Sequence, residues 1–107
     1  MGYFGFSYFE ENSDTLTAVE IDSGNGCVAP SPEAAQDGSY TPLSRPLFIY
    51  PSITKGAENA ALAAFVDFYV ANNSTIAEAA QFIPLNEEQN TKLESELSDY
   101  QAAIGAS

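Results

Sequence analysis

The sequence predicts an α/β fold, and three patterns along the chain indicate it. Short alternating or aromatic runs that suit strands occupy the first half. A turn and two prolines then lead into the apolar run Leu47–Tyr50, whose branched and aromatic side chains are typical of a sheet interior. Apolar residues at helical spacing follow in the second half. We therefore expect a short strand-rich part, a crossover strand and three C-terminal helices.

The first half contains two strand candidates and two helix starts. Tyr3–Phe6 is an aromatic strand candidate, and Ser7 is positioned to cap a helix whose first turns are acidic. Thr17–Ile21 alternates as a half-buried strand does. Ser31 precedes a proline, which is the pattern of an N-cap followed by the first helical position. That second helix should stop by Gly38, a common helix terminator.

Residues 37–51, which we name the connector, form the most informative segment. Gly38 marks a turn, and Pro42 and Pro46 hold the residues before them extended. Leu47–Tyr50 then reads as a buried strand. A segment of this kind commonly passes between two structural units.

Three helices are predicted after the connector. Apolar residues at i, i+3, i+4 and i+7 place the first helix over residues 58–72, and the stripe is Leu62, Phe65, Val66 and Tyr69. The second starts at Thr75, which forms a capping-box pattern with Glu78, and ends at Pro84. The third starts at Asn86 with the same type of cap. Its apolar stripe is Leu93, Leu97, Tyr100 and Ile104.

Charge excludes one large class of partners. Fifteen acidic residues face only three basic ones, which gives a net charge of −12. Binding to a phosphate backbone needs several clustered cations, and Arg45, Lys55 and Lys92 are scattered. We therefore expect no nucleic-acid partner.

The residues also exclude several kinds of chemistry. The chain has one cysteine, Cys27, and no histidine, so an internal disulfide, a Cys/His zinc site and a Cys–His catalytic pair are impossible within it. Asp22–Glu33 has the length of a calcium loop, but Cys27 stands where the loop needs glycine. No sequence pattern combines a nucleophilic side chain with a general base. We therefore expect no enzyme activity, no metal and no cofactor.

We also expect no signal peptide in this sequence, because Met1–Phe6 lacks the basic region with which a signal peptide begins.

Seven stretches carry a family resemblance through their order and spacing: Gly2–Asn12, Leu16–Val19, Cys27–Ser31, Gly38–Tyr40, Pro42–Tyr50, Ala64–Tyr69 and Phe82–Leu85. They resemble the C-terminal part of the phosphate-binding protein that serves as substrate-binding component of the bacterial high-affinity phosphate ABC transporter. The resemblance covers nearly the whole chain.

This resemblance implies part of a type II periplasmic-binding-protein fold, in which two α/β lobes close on phosphate. Residues 1–38 would end the second lobe, residues 39–50 would form the interlobe crossover and a first-lobe strand, and residues 51–107 would complete the first lobe. The parent protein would bind inorganic phosphate and the transporter permease, in the periplasm or another extracytoplasmic location. The phosphate-binding loops of the family lie mainly in its N-terminal part, and their motifs do not occur here.

Two residues of the connector are candidates for the floor of a ligand cleft. Arg45 has two alternative roles: a buried ion pair with an acid that locks the crossover, or contact with the ligand. Ser44 is the second candidate. Since the donor loops are missing, we expect the isolated chain not to bind phosphate alone.

Other functions stay open at the level of sequence. The chain could be a stand-alone acidic interaction domain, or part of a phosphatase-like relative of the same scaffold. Unpaired strand edges in an isolated segment also predict a homodimer or a strand-exchanged oligomer.

Overall fold

The computed structural model describes residues 1–105, which contain six helices and two very short strands. Residues 106 and 107, at the end of the predicted range 51–107, lie outside the described residues. In chain order the elements are α1 (Phe6–Glu11), β1 (Ile21–Asp22), β2 (Cys27–Val28), α2 (Pro32–Gln36), α3 (Ile53–Glu58), α4 (Ala60–Ala71), α5 (Asn73–Ala79) and α6 (Glu87–Ile104).

The chain divides into two units between Leu47 and Phe48. The first, unit 1, comprises Met1–Leu47 together with Gln81–Ile83. The second, unit 2, comprises Phe48–Ala80 and the residues from Pro84 onward. The division falls inside the connector.

Unit 1 is built around a small hairpin and two short helices. β1 and β2 pair antiparallel, with Ile21 opposite Val28. The Asp22 carboxylate closes the turn by accepting from the backbone N–H of Gly24 at 2.8 Å and of Gly26 at 3.1 Å. Both glycines have positive φ, a conformation that side chains disfavour.

The start of α2 follows the sequence prediction. Ser31 is its N-cap, and the hydroxyl oxygen accepts from the Ala34 N–H at 3.0 Å. Proline stands at the first helical position, and the helix ends at Gln36, before Gly38. Ala34 is the one buried apolar residue of unit 1 among those described.

Unit 2 is helical, and α3, α4 and α6 pack on one another. The buried residues of this packing are Gly56 on α3 and Val66 and Val70 on α4. A hydrogen bond of 2.9 Å from the Gln101 side-chain amide to the Asp67 carboxylate joins α6 to α4. The core is therefore small, with one buried face on each of two helices.

α6 begins with the N-terminal cap that the sequence predicts. The Asn86 side chain accepts from the Gln89 N–H at 2.9 Å, and the Gln89 side chain accepts from the Asn86 N–H at 3.0 Å. This completes the capping box at its start. Gly105 ends the helix in the left-handed conformation. The stripe of α6 is half-buried as expected: Leu93, Leu97, Tyr100 and Ile104.

The predicted strands are the largest departure. Tyr3–Phe6 forms no strand, because Gly5 caps α1 without a side-chain hydrogen bond and Phe6 starts the helix. Ser7 is therefore inside α1 and is not its cap. Only Ile21 of Thr17–Ile21 belongs to a strand. Leu47–Tyr50 is neither a strand nor buried, because no other described segment lies beside it to form a ladder.

The region after the connector holds four helices rather than three. The predicted helix over residues 58–72 corresponds to α4, and α3 before it is the additional helix. Asn59 ends α3 and caps α4 by accepting from the Ala61 and Leu62 N–H groups. The buried face of α4 centres on Val66 and Val70, so Phe65 of the predicted stripe is exposed.

The capping box predicted at Thr75 is wrong. The Ile76 N–H already bonds to the Asn72 carbonyl, so α5 starts at Asn73 and Thr75 lies inside it. The helix also ends before Pro84, at Ala79, and Gln81 adopts a positive φ of 58°. The Gln81 amide donates to the Glu11 carboxylate at 2.5 Å, within unit 1.

We predict that Gly56→Ala destabilises unit 2. A Cβ at this position would overlap the Tyr100 hydroxyl and lie 3.0 Å from Cγ2 of Ile104. Overpacking costs about 1–3 kcal/mol, and the helix preference of alanine returns about 1 kcal/mol. The free energy of unfolding should therefore fall by up to about 2 kcal/mol in urea titrations followed by circular dichroism.

The control is the same change in a Tyr100→Phe background, which removes the oxygen that the Cβ would meet. The loss should be smaller there. A stabilising Gly56→Ala would show that helix propensity outweighs packing at this contact.

Candidate functional site

The connector begins in a tight turn that the Asp37 carboxylate organises. Its Oδ1 accepts from the Ser39 backbone N–H at 2.8 Å, and Gly38 between them has a φ of 76°. Hydrogen bonds from the Ser39 hydroxyl and from the Ser39 N–H hold the pKa of Asp37 below its ordinary value of 3.8. The turn thus fixes a charged carboxylate, fully exposed to solvent, at the start of the connector.

Tyr40 anchors the next part of the connector to unit 1. Its backbone N–H donates to the Ala34 carbonyl of α2 at 3.1 Å. Its phenol donates to the Val19 carbonyl, just before β1, at 3.3 Å. The Thr41–Pro42 peptide that follows is cis. Two separate bonds therefore hold this residue against both the helix and the approach to the hairpin.

Ser44 is half-buried, and its hydroxyl proton is already in use. The Oγ donates to the Tyr40 carbonyl at 2.6 Å, and the Ser44 N–H donates to the same oxygen at 3.0 Å. These bonds close a local turn. As long as they persist, Ser44 offers an acceptor oxygen and no free donor, which suits an anion poorly.

Arg45 is exposed and forms no ion pair with any residue that the structure describes. The buried ion pair that the sequence offers as one role of Arg45 is not formed among residues 1–105. Both ion pairs of the described residues join other groups on exposed helix surfaces: Lys55 with Glu58, and Lys92 with Glu96. The neighbours Ser44 and Arg45 thus differ. The Ser44 hydroxyl already donates a hydrogen bond, whereas the Arg45 guanidinium has no acidic partner among the described residues.

The apolar run of the connector is extended and open to solvent. Leu47, Phe48 and Tyr50 expose 60%, 67% and 88% of their surface. Rings of Phe48 and Tyr50 lie 6.3 Å apart. No backbone hydrogen bond joins residues 47–50 to another described residue.

No other site emerges from the described residues. In residues 1–105 no group of three acidic or cysteine side chains lies together as metal ligands would. Cys27 is exposed at the end of the hairpin and is a free thiol. Among the described helices, none has both the length and the apolar character that crossing a bilayer requires.

Several known proteins have similar sequences over most of this chain. Protein SphX of Synechocystis sp. is 51% identical over 88 residues, and the match covers 82% of this chain and 26% of SphX. The phosphate-binding protein PstS of Staphylococcus saprophyticus is 36% identical over 100 residues, covering 92% of this chain and 31% of PstS. This chain is homologous to the C-terminal part of bacterial phosphate-binding proteins.

A solved structure agrees with the sequence matches. The crystal structure of a possible phosphate binding protein from Planctomyces limnophilus is 36% identical and superposes with a TM-score of 0.77. The superposition covers 92% of this chain and 36% of that protein. The fold of the chain is therefore similar to that of part of this possible phosphate binding protein. No protein-family profile matches the sequence.

The chain spans about a quarter to a third of the length of the relatives that it matches. Most of each phosphate-binding relative therefore has no counterpart here.

Sequence reasoning missed Tyr40, the residue that holds the connector in place. A tyrosine two residues before a proline carries no distinctive signal, because its two partners at Ala34 and Val19 are set by tertiary structure. The Asp37 turn had a signal: Asp-Gly-Ser is a common sequence for a carboxylate that caps its own turn.

We predict that Ser39→Ala raises the pKa of Asp37 toward 3.8 without reaching it, because the backbone N–H still donates. Since the folded pKa is lowered, the charged carboxylate stabilises the turn above the unfolded pKa. That contribution disappears as pH falls through the folded pKa, below about 3.8. Carboxyl chemical shifts followed by NMR titration measure both values.

Ser98→Ala on α6 is the control, since its hydroxyl bonds only to the Glu94 carbonyl in the same helix. The pKa of Asp37 should not change in that variant. An unchanged pKa in Ser39→Ala would contradict the assignment of its hydroxyl as the main cause of the shift.

Proposed function

We propose that this chain is a segment of a binding protein that captures inorganic phosphate outside the cytoplasm and passes it to an ABC transporter permease, without catalysing a reaction. The observation that supports this most is the match over 92% of the chain to a protein named for phosphate binding. In this proposal residues 1–38 end one lobe, residues 39–50 cross between lobes, and residues 51–107 complete the other lobe.

The segment has a mechanical role in this proposal. A binding protein of two lobes closes on its ligand by rotation about the segments that join them. The connector suits this role because Asp37 and Tyr40 fix its start on unit 1, while its apolar run belongs mainly to unit 2.

The chain alone lacks what phosphate capture requires. Recognition of phosphate without a metal uses several convergent N–H and O–H donors and commonly an arginine. Here the Ser44 hydroxyl already donates its hydrogen bond to the Tyr40 carbonyl, and Arg45 is the only arginine in the sequence. A net charge of −12 also repels a dianion.

We therefore predict no phosphate binding by the isolated 107-residue chain at micromolar concentrations. Isothermal titration at neutral pH measures this, and a dissociation constant of micromolar or tighter would contradict it. Circular dichroism of the same sample, showing the helices intact, is the control that separates absent donors from an unfolded chain.

A chimera tests the function of the segment in a complete protein. The matched 100 residues of the Staphylococcus saprophyticus PstS are replaced by the corresponding stretch of this chain. We predict that the chimera binds phosphate. A folded chimera that closes on no phosphate would contradict the proposal, and the unmodified PstS is the reference.

The same chimera tests Arg45. Because its guanidinium has no acidic partner among the described residues, we propose that it faces the ligand side of the connector. Arg45→Ala should weaken phosphate binding by about tenfold or more, the size of a lost charge-assisted hydrogen bond. Arg45→Lys should restore part of the affinity, since the charge remains.

Lys92→Ala is the matched control, since it removes one positive charge from the exposed surface of α6. Phosphate affinity should be unchanged there. If Arg45→Ala lowers the stability of the chimera and leaves its affinity intact, Arg45 instead pairs with an acid outside this chain.

A further inference from the structure

The loop of the β1–β2 hairpin contains the one Asn-Gly pair of the sequence, Asn25–Gly26. Both residues are exposed to solvent. Gly26 has a φ of 100°, and no other heavy atom lies within 4 Å of the place where a Cβ would stand. Because glycine has no Cβ, its backbone nitrogen can approach the side-chain amide carbon of the preceding asparagine closely. The pair therefore has the sequence and the access for deamidation.

The Asn25 side chain differs from those of the other asparagines. Among the described residues, no hydrogen bond involves its amide. The other six asparagines all use a side-chain amide atom in a hydrogen bond, and each lies in a helix or at a helix end: Asn12, Asn59, Asn72, Asn73, Asn86 and Asn90. A reaction at one of those positions must first break that bond.

The nitrogen that would attack Asn25 is held by Asp22. The Gly26 N–H donates to Oδ1 of Asp22 at 3.1 Å, and the Gly24 N–H donates to the same oxygen at 2.8 Å. Attack requires the Gly26 nitrogen to lose its proton, which breaks the first of these bonds. The negative charge of the carboxylate also opposes formation of an anionic nitrogen beside it. The folded loop therefore slows the reaction that its sequence favours.

We propose that Asn25 is a site of spontaneous deamidation whose rate in the folded chain is set by the hydrogen bond between Gly26 and Asp22. The Gly26 nitrogen forms a bond to Cγ of Asn25, the Cγ–Nδ2 bond breaks, and ammonia leaves with the proton of the Gly26 N–H. Water then opens the cyclic imide at either carbonyl group, which gives aspartate or isoaspartate. The groups involved lie within one turn of unit 1, so the proposal is independent of the proposed phosphate function.

Either product changes the hairpin. Both add a negative charge to a loop that already contains the Asp22 carboxylate. Isoaspartate also inserts a methylene into the backbone between Asp22 and Gly26, so the bond between them and the pairing of Asp22 with Cys27 cannot both keep their geometry. Because the ammonia escapes into solvent, modified chains accumulate with time.

Peptic peptide mapping by mass spectrometry tests the proposal on the 107-residue chain, incubated at mildly alkaline pH. We expect deamidation at Asn25 to exceed that at each of the other six asparagines. It should be about three to ten times slower in the folded chain than in the same chain unfolded in urea, which is the factor expected for one exposed hydrogen bond.

Asp22→Ala removes the acceptor, so the folded rate should rise to the rate in urea, while the rate in urea should not change. Asp22→Ser retains an acceptor oxygen without the charge and should give an intermediate rate. Glu20→Ala is the matched control, because Glu20 is an exposed acid that accepts no hydrogen bond from the described loop residues. It should leave the rate at Asn25 unchanged.

Three results would overturn the proposal. The first is deamidation at Asn25 no faster than at Asn12, which precedes a serine. The second is an equal rate at Asn25 in the folded and the unfolded chain, a comparison that needs no variant. The third is a folded Asp22→Ala variant, with helicity unchanged by circular dichroism, that deamidates at the rate of the starting chain.

Discussion

The backbone of residues 47–50 has no hydrogen-bonding partner in the described chain, and the rest of the structure follows from that constraint. This run has the side chains of a sheet interior, and in this chain it is extended with its apolar surface in solvent. A buried strand needs neighbours on its edges and a cover on its faces. The matched relatives are about three times as long, so they contain chain that can supply both.

The small core has the same origin. Ala34, Val66 and Val70 are the buried apolar residues among those described, while sixteen large apolar side chains are exposed. Hydrophobic burial is the main favourable term in folding, so these exposed apolar side chains contribute little to the free energy of folding. The order that remains is local: helix caps at Ser31, Ser52, Asn59 and Asn86, and the packing of α6 on α3 and α4.

Local signals were predictable from sequence, and features that depend on partners were not. The capping box at Asn86 and the cap at Ser31 are confirmed. Each depends only on residues that lie within four positions of one another in the sequence. Leu47–Tyr50 does not form the predicted strand, because none of the described segments pairs with its backbone. Arg45 shows the same limit, since the sequence leaves an ion pair and a ligand contact open, and no described acid pairs with it.

Amide hydrogen exchange of the isolated chain in dilute solution tests the central claim most directly. The account predicts strong protection in α6, whose amides bond within the helix, and none at Phe48, Ile49 and Tyr50. Protection at these three residues equal to that of α6 would contradict it, because their backbone N–H groups would then have hydrogen-bonding partners within a single chain.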